Sequence, residues 1–471
     1  MSHPFDMTNS KDAKTKTYMA KKSPKELGTE NIGKLLMRYA VPAVIAMTAT
    51  SLYNIVDRIF IGQGVGALAI SGLAVTFPIM NLSAAFGAMI GAGGSTLISV
   101  KLGQRDYDTA QNILGNIVSL NVIIGVLFAI FSIAFIDPIL YFFGASENTI
   151  DYARSYMFII LLGNVITHLY LGLNSVIRST GHPTTAMFAT IATVIVNAIL
   201  DPLFIYVFDM GIAGAAWATI TAQTVALLVV VKILSNKDEV VHFRQGIYKL
   251  RKRIVKNILS IGISPFCMQL CACFVVILIN KGLQKHGGDL AIGAYGIVNG
   301  ITFMFIMIVM GITQGMQPIA GFNYGAEKFD RVTQVLKYSI LYATVVMTAS
   351  FLLCELMPEP LIRMFTQDAR LIELAVEGMR IIVAVSPIIG FQIVVGNFFQ
   401  SIGMPKKSIF MSLCRQLLFL MPMLLILPEF FGTKGVWISI PVSDGISAIV
   451  AAIMIWQFYR KGAFKNREME I

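Results

Sequence analysis

The stretch Asn197-Ala-Ile-Leu-Asp201-Pro202 decides both the class of this protein and its first candidate functional residues. It lies near the end of an apolar run from about Thr184 to Phe208, and a helix of roughly 20 residues is long enough to cross a bilayer. Asn197 and Asp201 are one turn apart and share a helix face. An Asp at the centre of a spanning helix costs about 2.5 to 3.5 kcal/mol, so such residues usually mark an ion or substrate path. The stretch predicts a membrane helix with a functional carboxylate.

Two more residues belong with this stretch. Pro202 has no N–H to donate to its i−4 carbonyl, so it weakens the helix beside the carboxylate. A second acid, Asp57, lies in the first apolar segment, from Ala40 to Ile61. We therefore interpret the chain as organised around two intramembrane acids, Asp57 and Asp201.

The composition predicts an all-α polytopic membrane protein. The chain has 471 residues, of which 56% are hydrophobic and only 13% are charged, whereas soluble domains carry about 25% charged residues. Mean hydropathy is +0.72. Twelve transmembrane helices are predicted, at approximately 37–60, 68–98, 112–136, 154–177, 184–208, 211–234, 257–280, 290–320, 335–357, 371–399, 408–428 and 435–458.

The net charge of +11 is explained by topology and does not indicate a nucleic-acid partner. Lys and Arg concentrate on one side of the predicted spans, in the N-terminal tail from Lys11 to Lys25, at Lys101 and Arg105, from Lys232 to Lys256, at Lys328 and Arg331, at Lys406 and Lys407, and from Arg460 to Arg467. The loops on the other side carry few. Because basic loops stay in the cytoplasm, both termini are predicted to be cytoplasmic. Residues 1–34 have no apolar core and do not resemble a signal peptide.

Enzyme and metal-centre interpretations find little support in the chain. The five Cys all fall in apolar spans, and although Cys267 and Cys271 share a helix face, no His or carboxylate joins them. The five His are scattered and form no metal-binding pair, and no Walker-type loop is present to bind ATP. We therefore predict a protein that is not an enzyme and has no cofactor beyond a coupling ion.

An internal repeat divides the chain into two halves. The segment Ala69-Ile-Ser-Gly-Leu-Ala-Val corresponds to Ala291-Ile-Gly-Ala-Tyr-Gly-Ile, and the step from position 69 to position 291 defines the repeat offset. The same offset relates Gly93 to Gly315, Gly103 to Gly325, Asp108 to Asp330, Gly181 to Gly403 and Pro183 to Pro405. Six spans in each half mean that both halves enter the bilayer in the same orientation, as in transporters with parallel repeats.

The repeat sets the predicted domain organisation. We predict a cytoplasmic tail over residues 1–34, an N-terminal six-helix lobe over 35–234, a basic cytoplasmic linker over 235–256, a C-terminal six-helix lobe over 257–459 and a cytoplasmic tail over 460–471. The run from His242 to Ile254 has two interpretations, an interfacial helix at anionic headgroups or a plain linker. Two fused lobes suit alternating access, and we expect a monomer.

Seven short motifs follow one another along the chain: Tyr53-Asn-Ile-Val-Asp57, Lys101-Leu-Gly-Gln-Arg-Asp106, Gly144-Ala-Ser-Glu147, Arg178-Ser-Thr-Gly181-His-Pro183, Asn197 to Pro202, Phe322-Asn-Tyr-Gly-Ala326 and Gln400-Ser-Ile-Gly403-Met-Pro405. Together they resemble the multidrug and toxic compound extrusion (MATE) family, and within it the bacterial MepA-type branch. The match covers about residues 30 to 460. No single motif is decisive, but their order and spacing together are specific.

The resemblance implies two lobes around a V-shaped cavity in a bacterial inner (plasma) membrane, where cation entry drives efflux of lipophilic, often cationic compounds. Matched to this chain, the family's N-lobe cation site falls on Asp57, Asn197, Asp201 and Thr219. Some relatives place essential acids on the seventh and eighth spans instead. Those spans hold no carboxylate here, which favours the N-lobe site.

The chemistry of these residues leaves the coupling ion open. Two carboxylates close together in low dielectric do not both stay ionised without a cation. Sodium prefers oxygen ligands, and the four residues could hold it as a metal site; a proton needs only one carboxylate. Each residue also has a structural interpretation: Asp57 paired with Arg58, Asp201 at the interface, and Thr219 bonded to its own backbone.

Other polar residues in the spans complete the prediction. Asn164, Asn174, Gln269 and Asn299 are candidates to line the substrate cavity with Asp57. His168 is either a packing residue or a proton relay. Arg415 and Asp444 are expected to pair in the second lobe. We predict a sodium- or proton-coupled multidrug antiporter with small-molecule substrates and membrane lipid as partners; the alternative is a flippase for lipid-linked saccharides.

Overall fold

The fold consists of helices joined by short loops. A computed structural model describes residues 25–460, and over that range the chain forms no β-strand. Positions 1–24 and 461–471, which hold most of the predicted tails, lie outside the described residues. A short helix, Lys25–Thr29, precedes the first span.

Twelve spans follow from the helices of this described part. Nine helices are long and apolar enough to cross a membrane, and two bent helix pairs can each cross as one span. One of the nine is a run of 74 residues, Lys252–Gly325, that leaves helical geometry at Gly288 (φ 64°, ψ −161°) and therefore contains the seventh and eighth spans. The prediction of twelve helices is confirmed.

The bounds of the spans are as follows. In the first half they are Ile32–Gly64, Ala67–Gly103, Tyr107–Ala134, Ile150–Leu162 with Asn164–Ser179, Pro183–Pro202 with Leu203–Val207, and Gly211–Leu234. In the second half they are 252–287, 289–325, Phe329–Leu356, Ala369–Val383 with Ser386–Ser401, Pro405–Phe431, and Thr433–Arg460. Short helices Ile136–Phe142 and Pro358–Arg363 follow the third and ninth spans.

The structure repeats at the offset found in the sequence. The starts of the short helices Ile136–Phe142 and Pro358–Arg363 are separated by that offset, and so are the second parts of the fourth and tenth spans, Asn164–Ser179 and Ser386–Ser401. Backbone details repeat as well, because Arg105 and Glu327 are related by the same offset and both have positive φ (60° and 57°). The two halves are therefore copies of one six-helix unit.

Four spans that were predicted to be continuous helices are interrupted. The fourth span bends by 54° at Gly163, and the tenth bends by 53° before Pro387, which has no N–H to continue the helix. The fifth and eleventh spans each contain a π-helical segment, Leu203–Val207 and Cys414–Leu420. The first of these directly follows Pro202, in agreement with the predicted weakening of the helix.

The halves pack through close contacts of repeat-related glycines. A Cβ at Gly103, at the end of the second span, would overlap the Phe322 carbonyl of the eighth; one at Gly325 would overlap the Val100 carbonyl of the second. Likewise, Gly315 lies against Ala40 of the first span. Only glycine permits this approach of two backbones, so these residues line the interface between the halves.

Side-chain hydrogen bonds join the halves at the same end. Gln317 of the eighth span donates through Nε2 to Thr96 Oγ1 of the second at 2.6 Å, and to Ser95 Oγ at 3.2 Å. Arg178 of the fourth span donates to Gln314 Oε1. Nearer the start of the eighth span, a Cβ at Gly296 would meet nothing within 4 Å. The halves are packed together at the end that carries the interdomain linker.

The linker is not helical before the seventh span. Residues 235–251 form turns and bends, and the helix begins at Lys252. The interfacial-helix interpretation of the run from His242 is therefore wrong for these residues. The Tyr248 and Lys249 carbonyls and the Arg251 amide bond to the side chains of Ser119 and Asn116 instead of to each other in a helix.

The expected ion pair in the second half is present. Arg415 Nε lies 2.6 Å from Asp444 Oδ1, and the Asp444 side chain is only 2% exposed. Removing one partner of a buried pair leaves an uncompensated charge, which typically costs about 3 to 5 kcal/mol. We expect Arg415→Met to lower the midpoint of thermal unfolding of the purified protein strongly. The double variant Arg415→Met/Asp444→Leu removes both charges and should recover most of the loss; a double variant as unstable as the single one would contradict this explanation.

Candidate cation site

The four residues matched to the cation site come together in the first half of the chain. Asp57 lies on the first span, Asn197 and Asp201 on the fifth, and Thr219 on the sixth. Their exposed fractions are 7%, 1%, 0% and 8%, so protein encloses all four. A turn of helix separates Asn197 from Asp201, which places the amide and the carboxylate one above the other on one face.

The two carboxyl groups are in hydrogen-bonding contact with each other. At about 4 Å and an effective dielectric constant of about 20, two like unit charges repel by about 4 kcal/mol. That energy is far larger than a typical net hydrogen bond of about 1 kcal/mol, so the arrangement is stable only when a cation or a proton is shared between Asp57 and Asp201.

The Asn197 amide can respond to the state of the carboxylates. One terminal atom of the amide lies 2.7 Å from Asp201 Oδ2, and the other lies 3.2 Å from the Thr219 backbone nitrogen. With nitrogen toward the carboxylate, Asn197 donates to an ionised Asp201. With oxygen toward it, the amide nitrogen instead donates to Thr219 Oγ1 at 3.3 Å, and the oxygen faces whatever proton or cation Asp201 carries.

Two tyrosines complete the site and were not predicted from the sequence. The Tyr53 hydroxyl lies 3.2 Å from Thr219 Oγ1 and close enough to both acids to interact electrostatically. Tyr156, from the fourth span, is 2% exposed and also interacts with both acids. Tyr53 is one turn before Asp57, so helical spacing could have indicated it. Nothing in the sequence links Tyr156 to the site.

The π-helical segment holds the fifth span against the first. Tyr206 donates its hydroxyl to the Phe60 carbonyl at 3.1 Å, and a Cβ at Gly64 would meet the Tyr206 ring. Pro202 lies between Asp201 and this segment. A local change in the helix next to Asp201 is therefore transmitted directly to the first span, which carries Asp57 and Tyr53.

The structure can be compared with the alternative, structural interpretations of Asp201, Thr219 and Asp57. Asp201 is fully enclosed by protein and is not turned toward headgroups. The Thr219 hydroxyl contacts Tyr53 and Asn197. The side chain of Arg58, the alternative partner of Asp57, lies outside the described residues. Among residues 25–460, no cluster of three or more His, Cys, Asp or Glu forms a metal centre.

The candidate residues for the substrate cavity are dispersed. Asn164 is 2% exposed and fully engaged, accepting from Ser83 and donating to the Gly125 carbonyl at 3.0 Å. Asn174 is 8% exposed and donates to Thr190. Gln269 is half-buried, and Asn299 is exposed on the eighth span. Their role in substrate binding stays a prediction.

His168 belongs to the same buried cluster as Asn164. Its side chain is fully buried, and its Nε2 lies 3.1 Å from Ser83 Oγ. The cluster is one turn from the bend at Gly163, and Gly87 and Gly125 pack closely on the histidine. This environment is that of a packing residue beside a helix break.

Comparison with known proteins identifies the family. The MatE family model matches residues 42–203 and 263–426, one match in each half of the chain. The chain belongs to the MatE family. This result confirms the resemblance seen in the sequence motifs and shows a multi-pass membrane transporter. The two matches are also separated by nearly the repeat offset.

Curated MatE relatives are similar over almost their whole length. The multidrug export protein MepA of Staphylococcus haemolyticus (strain JCSC1435) is 25% identical over 426 residues, covering 90% of this chain and 94% of the relative. MepA of Staphylococcus aureus (strain N315) is 25% identical over 439 residues, covering 93% and 95%.

Solved MatE structures share the fold. The multidrug transporter DinF-BH is 36% identical, with a TM-score of 0.86, covering 93% of this chain and 98% of that one. A multidrug resistance transporter in an outward-facing conformation is 26% identical, with a TM-score of 0.87 and the same coverage. The all-α fold of twelve helices in two repeated halves is thus confirmed.

Proposed function

We propose that this protein is a secondary active exporter that couples inward movement of sodium or protons to efflux of lipophilic, often cationic compounds. The observation that carries the proposal is the contact between the Asp57 and Asp201 carboxyl groups inside a buried site. Two relatives that cover 90% and 93% of the chain are multidrug export proteins, which supports the substrate class.

The proposed cycle uses the two states of the site. Binding of one monovalent cation offsets one of the two negative charges, so that the acids no longer repel each other. It also turns the Asn197 oxygen inward and lets the first and fifth spans stay together. Ion release restores repulsion of about 4 kcal/mol between the acids, which favours separation of these spans. Because the first span also packs against the eighth through Ala40 and Gly315, its movement alters the contact between the halves. An ion drives transport only through such a difference in affinity between conformations.

The proposal also includes the orientation of the protein in the membrane. The end where the halves are closed carries the basic linker, and the positive-inside rule places that end in the cytoplasm. A conformation closed at that end corresponds to an outward-facing state. We propose that the transporter acts as a monomer in the inner (plasma) membrane of a bacterium, with both termini cytoplasmic, and that no further cofactor takes part.

A flippase for lipid-linked saccharides is the second candidate. A pyrophosphate cargo calls for several accessible cations in the cleft. Here Arg178 donates to Gln314 between the halves, and Arg415 is neutralised by Asp444. Because the described spans offer few unpaired cations, the cleft suits an organic cation as substrate better than a pyrophosphate. A relative of the same superfamily, 25% identical, is described as having reversed binding-pocket polarity that suggests a different function, so the distinction needs an experiment.

Ethidium efflux from inverted or reconstituted vesicles tests the proposal. Sodium and proton gradients are imposed separately, each with the membrane potential clamped. We expect one of the two gradients to drive concentrative transport, and dissipating that gradient to stop it. If neither gradient moves any lipophilic cation while lipid-linked saccharides cross the membrane, the flippase is the better assignment.

Thr219→Val separates sodium from proton coupling. The substitution keeps the shape of the side chain but removes a hydroxyl that Asn197 and Tyr53 contact. If sodium is the coupling ion, loss of one oxygen ligand should raise the sodium concentration for half-maximal transport by about 3- to 10-fold, the equivalent of about 1 kcal/mol. A proton-coupled carrier should show no dependence on sodium in either form. In a sodium-coupled carrier, Ser in place of Thr219 should restore the wild-type sodium dependence.

A further inference from the structure

The loop that precedes the seventh span and the first turns of that span are strongly basic and have no internal counter-charge. Residues 244–256 contain six cations and no acid: Arg244, Lys249, Arg251, Lys252, Arg253 and Lys256. All six side chains are exposed. Among residues 25–460, the only carboxylate within ion-pair distance of any of them belongs to Asp108, which faces Arg244. The other five cations have no acidic partner in the described part of the chain.

The loop is fixed rigidly to the third span. Asn116, which is fully buried, accepts from the Arg251 backbone N–H at 2.9 Å and donates to the Lys249 carbonyl at 3.3 Å. Ser119 donates to the Tyr248 carbonyl at 2.8 Å. These bonds to the third span therefore fix the backbone positions of the cations in the loop.

The fixed loop lies where the third span enters the hydrocarbon. The exposed large apolar side chains of that span begin at Val122, one turn beyond Ser119. Tyr248 and Leu250 are 44% and 41% exposed and lie in the loop at this level. A tyrosine and a leucine next to lysines and arginines are typical of the headgroup region, where aromatic rings anchor and cations meet phosphates.

A cavity of about 380 Å³ adjoins the loop at this depth. Arg244 and Arg251 line it, together with Asn112 and Gln245, which offer amide groups. Asp108 also lines the cavity, and its contact with Arg244 is 3.3 Å long between two exposed side chains. Such an exposed pair contributes little, about 0 to 1 kcal/mol, so an anion with more than one oxygen can displace it.

We propose that this cavity binds the phosphate of an anionic phospholipid from the cytoplasmic leaflet. Arg244 and Arg251 hold the phosphate oxygens, Gln245 donates to the headgroup, and Tyr248 and Leu250 contact the acyl chains. The proposal rests on the topology proposed above. The lipid would bind at the linker between the two halves of the transporter.

Native mass spectrometry of the full-length protein in detergent tests the site. Phosphatidylglycerol, phosphatidylcholine or inorganic phosphate is added in increasing amounts, and the bound fraction is measured for each. We expect retention of phosphatidylglycerol at least about tenfold tighter than phosphatidylcholine. Arg244→Gln and Arg251→Gln should each weaken it about fivefold, and the double variant about thirty-fold, from about 1 kcal/mol per cation. The Lys double variant, Arg244→Lys/Arg251→Lys, should keep most of the affinity and shows that the fold is intact.

The matched control is Lys237→Gln/Lys337→Gln, which removes two exposed cations outside the cavity. If the control weakens binding as much as the double Gln variant, the effect is one of overall charge and the site is overturned. Equal retention of both phospholipids overturns it too, and equally tight binding of inorganic phosphate reassigns the cavity to a soluble anion. No ion gradient enters the measurement, so a failure of coupled drug efflux leaves the result interpretable.

Discussion

Replacing either acid of the cation site by its amide is expected to abolish concentrative efflux. In Asp57→Asn or Asp201→Asn the repulsion that distinguishes the ion-free from the ion-bound site is gone, because only one carboxylate remains in the pocket. Coupling between two sites is typically worth about 1 to 3 kcal/mol, which corresponds to roughly 5- to 150-fold in affinity. Ethidium accumulation against its gradient should therefore fall to the level of vesicles without transporter, while downhill leakage of substrate through the protein persists.

A matched control separates loss of coupling from loss of protein. Asp330→Asn removes an exposed carboxylate at the start of the ninth span and should pump like wild type. Comparable purification yield and thermal unfolding of all variants show that the fold is kept. If Asp57→Asn and Asp201→Asn both pump at the wild-type rate, the coupling site lies elsewhere and the proposed cycle is wrong.

A disulfide between the second and eighth spans is expected to stop transport. A Cβ at Gly321 would lie 3.0 Å from the Ser99 Cβ, and disulfides need about 3.5 to 4.5 Å between Cβ atoms, so a helix shift of about half an ångström suffices. The bridge joins the halves at the end where Gln317 bonds to Thr96. Because alternating access requires that end to open, oxidised Ser99→Cys/Gly321→Cys should lose efflux, and dithiothreitol should restore it.

The cross-link experiment needs a background without the five native Cys. Ser99→Cys alone and Gly321→Cys alone, treated with the same oxidant, control for the substitutions themselves. The shift of the double variant on a non-reducing gel reports the fraction cross-linked. A fully cross-linked protein that still transports would show that this end of the bundle does not open during the cycle.

Much of the fold could be predicted from the sequence because its determinants are local or periodic. Apolar runs of spanning length indicated the twelve helices, and agreement of separate segments at one constant offset indicated the repeat. Pro202 indicates a weakened helix through its missing N–H, a property of one residue that needs no neighbour. The bends at Gly163 and before Pro387 were not predicted; a glycine tolerates a bend without requiring one.

Only some residues of the candidate site could be predicted from the sequence. Asp57, Asn197 and Asp201 stand out because carboxylates and amides are costly in a membrane, and Thr219 came from the resemblance. Tyr53 and Tyr156 do not stand out, since tyrosines are common in spanning helices and their burial depends on the neighbouring spans. The linker was also ambiguous, because its conformation depends on Asn116 and Ser119, which lie far earlier in the chain on the third span.

The sequence by itself determined that this chain crosses the membrane twelve times as two copies of one unit and that two acids lie within the first copy. Those properties follow from the cost of placing polar and charged groups in hydrocarbon, which acts on each segment separately. Only the tertiary structure decided that Asp57 and Asp201 touch, that Tyr156 joins them, and that the first span packs against the eighth. In lipid every apolar face is equally well solvated, so the pattern of hydrophobic residues does not specify which faces meet, and packing and polar contacts decide it.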